Sequence, residues 1–156
     1  MTLAKALGGG APIGAIVAKP EVAASLTPGS HASTFGANPL VVSAAIATVE
    51  AIEQEDLLAN TQQMGEYAVR KAQELSERCD LVGPARGLGL MLGIELKIPG
   101  AQIVADALEA GLRVNCTQDT VLRMLPAMNV TREQLDEGFA ILEQVLRDTA
   151  EKGVTG

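Results

Sequence analysis

Aromatic side chains are nearly missing from this chain of 156 residues, which has two Phe, one Tyr and no Trp. Any core must therefore be aliphatic and rich in alanine, and an apolar share of 47% is enough to build one. Histidine occurs once, at His31, and cysteine twice, at Cys79 and Cys116. Neither cysteine has metal-ligand spacing or companion histidines, so no metal is expected, and both read as reduced structural thiols of a cytoplasmic protein. Basic residues are outnumbered, 12 against 19 acidic, for a net charge of −7. No Lys/Arg cluster stands out, which excludes nucleic acid as a partner. No apolar run approaches the roughly 18 residues that a membrane helix needs. The first apolar stretch is too short and too broken by glycine to read as a secretory leader. Repeats and low-complexity segments are missing too.

Glycine, by contrast, is plentiful, and three stand together near the start, in Thr2-Leu-Ala-Lys5-Ala-Leu-Gly8-Gly-Gly10-Ala-Pro-Ile-Gly14-Ala-Ile-Val-Ala18. The pattern predicts strand, glycine-rich turn, strand. Lys5 ends the first apolar run. A lysine held between apolar neighbours loses hydration and moves toward a neutral, nucleophilic amine; on residue types alone, a solvated charge is the commoner outcome.

A second stretch, Ser30-His31-Ala-Ser33-Thr34-Phe35-Gly36-Ala-Asn38-Pro39, offers hydroxyls and backbone N–H groups ahead of a helix start. Such loops favour anions, although polar loops before helices are common. Asn38 is placed to cap the helix and Pro39 to occupy its first turn. His31 would need a partner and a pocket to act as a base, and reads as a loop residue. Arg123 sits in the apolar run Val121-Leu-Arg123-Met-Leu-Pro126. An unpaired buried charge is costly, so Arg123 either faces water or meets an anion. A planar guanidinium is well shaped to grip a carboxylate through two parallel bonds.

Along the chain, helices are expected from about Pro20, from Leu40 to Ile52, and onward to Arg78 after the polar break Gln54-Glu-Asp56. Residues 81–96 have β character, 99–110 read as a helix stopped by Gly111, and 112–114 and 120–125 as short strands. Thr131-Arg-Glu-Gln134 is a capping-box pattern that opens a final helix. Its apolar stripe is Leu135, Phe139, Leu142, Val145 and Leu146. The tail from Glu151 to Gly156 should fray. Two regions result: residues 1–52, rich in loop and helix, and residues 53–156, an α+β unit with helices on one side of a small sheet.

The segment from Thr2 to Ala15 closely resembles the cofactor-lysine segment of the class III (ornithine-type) aminotransferases, which use pyridoxal 5'-phosphate. The resemblance runs from Met1 to about Leu146. It implies an α/β fold of the fold-type I class, present in part. Residues 1–52 would be the end of the large cofactor domain and residues 53–156 the small C-terminal α+β domain. It also implies that Lys5 carries the cofactor and, once released by the incoming amine, moves a proton from the substrate carbon. Ser30 to Pro39 is similar to the family's His-x-Ser-Thr-Phe/Tyr-Gly-x-Asn-Pro segment. There the threonine matching Thr34 hydrogen-bonds the cofactor phosphate of the neighbouring subunit, with Ser33 beside it, which implies a homodimer. Leu122 to Ala127 resembles a Leu-Arg-x-x-Pro-Pro motif whose arginine, here Arg123, binds the substrate α-carboxylate; Ala127 departs from the second proline. Gly87 to Leu96 resembles a small-domain strand and reads as scaffold.

Gly111 to Thr117 and Leu122 to Thr131 are nearest to members acting on N-acylornithines. The implied partners are small molecules, N-acetylornithine or N-succinylornithine as amino donor and 2-oxoglutarate as acceptor, in arginine metabolism. Ornithine and 4-aminobutyrate are alternative donors. In the family, the aspartate that pairs with the pyridine nitrogen, the stacking aromatic and a phosphate-binding turn all precede the lysine. The chain therefore corresponds to the C-terminal part of a longer polypeptide and is expected to be inactive alone. A reading from another class is a non-catalytic remnant that dimerises or regulates.

Overall fold

The computed structural model describes residues 1–153. Two compact units meet in sequence between Asp56 and Leu57. The polar break at Gln54 to Asp56 makes that boundary. Asp56 has φ +49°, a left-handed conformation that aspartate tolerates better than most residues and that no helix continues through.

In the first unit, β1 (Thr2–Leu3) pairs antiparallel with β2 (Ala15–Ile16), Thr2 opposite Ile16 and Leu3 opposite Ala15. Between them runs a short 3-10 turn, Lys5–Gly8, closed by Gly9 at φ +60°. The strand–turn–strand expectation is met with one difference. Lys5 does not end a strand but opens the 3-10 turn, itself at φ +57°. Helix α1 (Pro20–Ala23) has proline at its first position. Helix α2 (Pro39–Gln54) starts as expected, with Asn38 Oδ1 accepting from the Leu40 N–H at 2.9 Å and Pro39 in the first turn. None of the side chains of α2 is buried.

The second unit stacks three helices on one face of a four-stranded antiparallel sheet. Helix α3 (Leu57–Arg78) leads into a hairpin of β3 (Val82–Leu88) and β4 (Met91–Leu96). Helix α4 (Ala101–Glu109), β5 (Asn115–Thr117), β6 (Val121–Met124) and helix α5 (Arg132–Glu151) follow, and the strand order is β3-β4-β6-β5. Alternation along the strands points Leu92, Ile94, Leu96, Leu122 and Met124 at the helices, where they are buried with Ala68, Ala72 and Leu75 of α3. The stripe Leu135, Phe139, Leu142, Val145 and Leu146 closes that core as the spacing predicts. Thr131 and Gln134 form the reciprocal capping box at the head of α5.

Gly65, midway along α3, is where the hairpin turn meets the helix. A Cβ there would lie 2.2 Å from the Gly89 carbonyl oxygen, so only glycine allows the approach.

One strand expectation is corrected. Residues 112–114 are not a strand; pairing begins only at Asn115. After Gly111 turns at φ +90°, the Leu112 N–H still donates to the Ala107 carbonyl at 2.7 Å, which ties this stretch to the end of α4 rather than to the sheet. The fraying expected of the tail falls, beyond Gly153, outside the described residues.

A polar clamp joins α3 to α5. The Tyr67 hydroxyl donates to Asp136, Lys71 Nζ lies 3.0 Å from the same carboxylate, and the Arg132 guanidinium sits 4.5 Å from the Tyr67 ring centroid. The Tyr67 hydrogen bond, then the one from Lys71, holds the Asp136 carboxyl below its ordinary range, and the bond to Asp136 pushes Lys71 up.

Candidate active-site residues

Lys5, Ser33 and Thr34 belong to the first unit and Arg123 to the second. Lys5 is exposed, and its neighbours Ala4 and Ala6 are exposed as well. The dehydrated setting expected from its apolar neighbours is therefore not provided by those neighbours. The short Ala side chains cover too little of a long lysine. Among the described residues no carboxylate pairs with it. What remains is a free primary amine at the head of a glycine turn.

Ser33 and Thr34 lie in the exposed bend ahead of α2, and no hydrogen bond joins either to Lys5. Their hydroxyls have no partner among the described residues, whereas the Ser30 hydroxyl is spent on the Thr27 carbonyl at 2.7 Å. Phe35, next in the loop, is 79% exposed. His31 is exposed with no side-chain partner, as expected of a loop residue.

Arg123 resolves its dilemma by facing outward. It stands on β6 on the sheet face opposite the helices, and is exposed. The register builds a row around it: Asn115 lies directly opposite on β5, Gly93 directly opposite on β4, and Arg86 opposite Gly93 on β3. Paired residues share a face, so two arginines flank a glycine. A shallow cavity of about 410 Å³ lies over the row, lined by Arg86, Met91, Gly93, Thr117, Val121 and Arg123. Arg86 donates to Glu95 Oε1 in an exposed ion pair, while Arg123 has no ion-pair partner among the described residues.

Reading residues 87–96 as scaffold passed over Glu95, and neither Arg86 nor Asn115 was singled out as a site residue. The signal was there in part. With Leu92, Ile94 and Leu96 facing in, Gly93 and Glu95 must face out; which strand neighbours them depends on register, and register is not written in one strand.

A roomier cavity, about 740 Å³, lies between α3 and the hairpin turn, beside Leu58, Thr61, Gly65, Val69 and Leu88. It holds none of the residues singled out from the sequence. Among the described residues no helix is long and apolar enough to cross a membrane, and no group of three His, Cys, Asp or Glu side chains comes together as a metal site would require.

The family described as Aminotransferase class-III matches residues 1–146. The acetylornithine aminotransferase of Methanocaldococcus jannaschii is 48% identical over 148 residues, covering 95% of this chain and 37% of that protein. Plasmodium falciparum ornithine delta-aminotransferase superposes with a TM-score of 0.89 at 32% identity, over 97% of this chain and 40% of its own. Toxoplasma gondii ornithine aminotransferase, with PLP partially occupying its active site, superposes with a TM-score of 0.88 at 25% identity, over 97% of this chain and 37% of its own. The chain thus spans little more than a third of the length of these relatives, and its fold is that part of the fold-type I aminotransferase architecture. By sequence and by fold, the chain belongs to the class-III aminotransferases.

Proposed function

We propose that the chain is the lysine-bearing portion of a pyridoxal 5'-phosphate-dependent aminotransferase of arginine metabolism. Its amino donor is N-acetylornithine or N-succinylornithine and its acceptor 2-oxoglutarate. Lys5 carries the reading: an exposed, unpaired primary amine at the head of a glycine turn, inside the stretch that matches the family. The residues present fit the cofactor by their chemistry. An aldehyde calls for a free amine, and a phosphate for donors such as the unpaired hydroxyls of Ser33 and Thr34. When bound, the cofactor supplies an electron sink for charge developing at the substrate α-carbon. Lys5 Nζ holds the cofactor at rest and, once free, takes the proton that leaves that carbon. Arg123 grips the substrate carboxylate through its planar fork. Thr34, with Ser33 beside it, donates to the phosphate of a neighbouring subunit, so the working enzyme is a homodimer; the exposure of this loop and of Phe35 supports that role.

The donor is read from the name of the Methanocaldococcus relative and from the segments around Asn115 and Arg123. Ornithine and 4-aminobutyrate are the alternatives, and a donor panel on the full-length enzyme separates them. A cytoplasmic location is supported by the two free cysteines. The exposure of Lys5 supports the further reading that this chain alone holds the cofactor weakly and does not transaminate.

Pyridoxal phosphate added to the purified chain and to its Lys5→Ala variant, followed by borohydride reduction and peptide mapping, tests the assignment. Label on the Lys5 peptide, lost in the variant, is the expected result. Label spread evenly over Lys19, Lys71 and Lys97 in both proteins would sink it.

A further inference from the structure

We propose that Arg86 keeps Arg123 open to a carboxylate by occupying Glu95, the one acidic side chain on the sheet face between them; the inference rests on reading Arg123 as a carboxylate-binding residue. Glu95 lies two residues along β4 from Gly93 and points to the same outer face. Gly93 is directly opposite Arg86 on one side and directly opposite Arg123 on the other. Glu95 is therefore diagonal to both arginines. Diagonal neighbours stand roughly 7–8 Å apart at their backbones, within reach of long side chains. One carboxylate thus has two guanidiniums to choose from, and in the structure it is engaged by Arg86.

Gly93 sharpens the choice. Gly93 puts no side chain at the centre of the row; Val121, directly opposite Glu95, is its neighbour there, and the cavity of about 410 Å³ is lined by both arginines. A Cβ on Gly93 would meet only Val121 Cγ1, at the ordinary contact distance of 3.4 Å, so packing does not demand glycine here. The Arg86 side chain is 64% exposed, and its pair with Glu95 joins the edge strand β3 to β4. An exposed pair of this kind contributes little to stability. Its effect lies in what it prevents: if Glu95 turned to Arg123, it would fill the fork with the protein's own carboxylate. Arg86 is in this sense a positioning residue. The other cation near that end of β4 is Lys97, exposed just past the strand, and it competes for Glu95 in any variant lacking Arg86.

Arginine Nε–Hε spectra of the 156-residue chain read the choice directly, with the Arg123 signal identified by its loss in Arg123→Lys. In Arg86→Gln the Arg123 signal should shift, and in Arg86→Gln/Glu95→Gln it should return. Arg86→Lys, which keeps a cation for Glu95, should leave it in place and guards against a fold defect in the glutamine variant. A fixed Arg123 signal in Arg86→Gln, whether Glu95 goes to Lys97 or to solvent, overturns the proposal. Acetate is then titrated as the carboxylate probe. Its affinity at Arg123 should fall roughly two- to fivefold in Arg86→Gln, the equivalent of an exposed ion pair, and recover in the double variant. Absence of any acetate response at Arg123 in every protein would instead overturn the carboxylate reading of Arg123, a distinct failure because the ligand-free spectra are recorded first.

Discussion

The two units of this chain manage their apolar surface in opposite ways. From Leu57 onward a closed core forms, and every buried apolar side chain of the described residues lies between Ala68 and Leu146. From Met1 to Asp56 only Gly8 is buried, while Ile16, Val17, Phe35 and Leu40 are each more than half exposed. The second unit has the ingredients of independent stability: a sheet covered on one face by amphipathic helices. The first has secondary structure with correct caps but no core, and so much exposed apolar surface marks a face that further protein covers. The residues argued to hold the cofactor lie in the unit that does not complete itself. Arg123 stands on a finished sheet. On the proposed reading, chemistry at Lys5 depends on assembly, whereas Arg123 is held in place by its own core.

That contrast is easiest to break in the core. Leu142 is fully buried, and Leu142→Ala should cost about 2–5 kcal/mol in urea unfolding of the second unit. Ile46→Ala on α2, a residue that is 53% exposed, should stay within about 0.5 kcal/mol. Equal losses from the two would mean that the first unit has a core after all.

Next in size is Gly65→Ala. Alanine is normally the better helix former by about 1 kcal/mol. Here its Cβ would press on the Gly89 carbonyl, so a net loss of roughly 1–3 kcal/mol is expected in place of a gain. A stabilised variant would show that the hairpin turn yields easily. Thr131→Ala removes the reciprocal cap of α5 and should lower stability by about 1 kcal/mol, read from the same denaturant midpoints.

The smallest effect follows the clamp between α3 and α5. Because the carboxyl of Asp136 is held below its ordinary value, the stability it brings is present above the unfolded-state pKa and fades as pH falls through the lower folded value. Thermal melts between neutral pH and pH ~3 should therefore fall less steeply for Asp136→Asn than for the parent. Lys71 works at the other end: its raised value means a contribution kept below the ordinary lysine range and lost only at strongly alkaline pH. Identical acid slopes for variant and parent would remove the clamp from the account.

Helix starts were legible because caps are local: Asn38-Pro39 and Thr131 to Gln134 declare themselves within four residues, and the structure keeps both. The stripe of α5 was legible because period and burial agree. The strand at 112–114 was misread because apolar alternation does not say whether the backbone is still tied to the preceding helix, as Leu112 is to Ala107. For the site, residue type and string drew attention to Lys5, Ser33, Thr34 and Arg123. The exposure of Lys5 agrees with the commoner outcome for its residue type; the loss of hydration that its apolar neighbours suggested did not follow, because hydration depends on what covers a residue and not on its sequence neighbours. The pairing of Arg86 with Glu95 was hidden for a similar reason, since it follows from cross-strand register.

With Lys5 as the proposed cofactor residue, folding and chemistry are set against each other at a single position. A left-handed backbone costs a residue with a Cβ about 1–2 kcal/mol relative to glycine, and Lys5 adopts one at φ +57°. Lys5→Gly should therefore make the turn more comfortable while removing the only amine in it. A selection scheme that rewards thermal tolerance alone would drift toward that replacement, and a library screened in this way would accumulate sturdier proteins unable to hold an aldehyde. The strained lysine is thus a useful marker: among descendants of such a library, its retention tells selection for chemistry from selection for endurance.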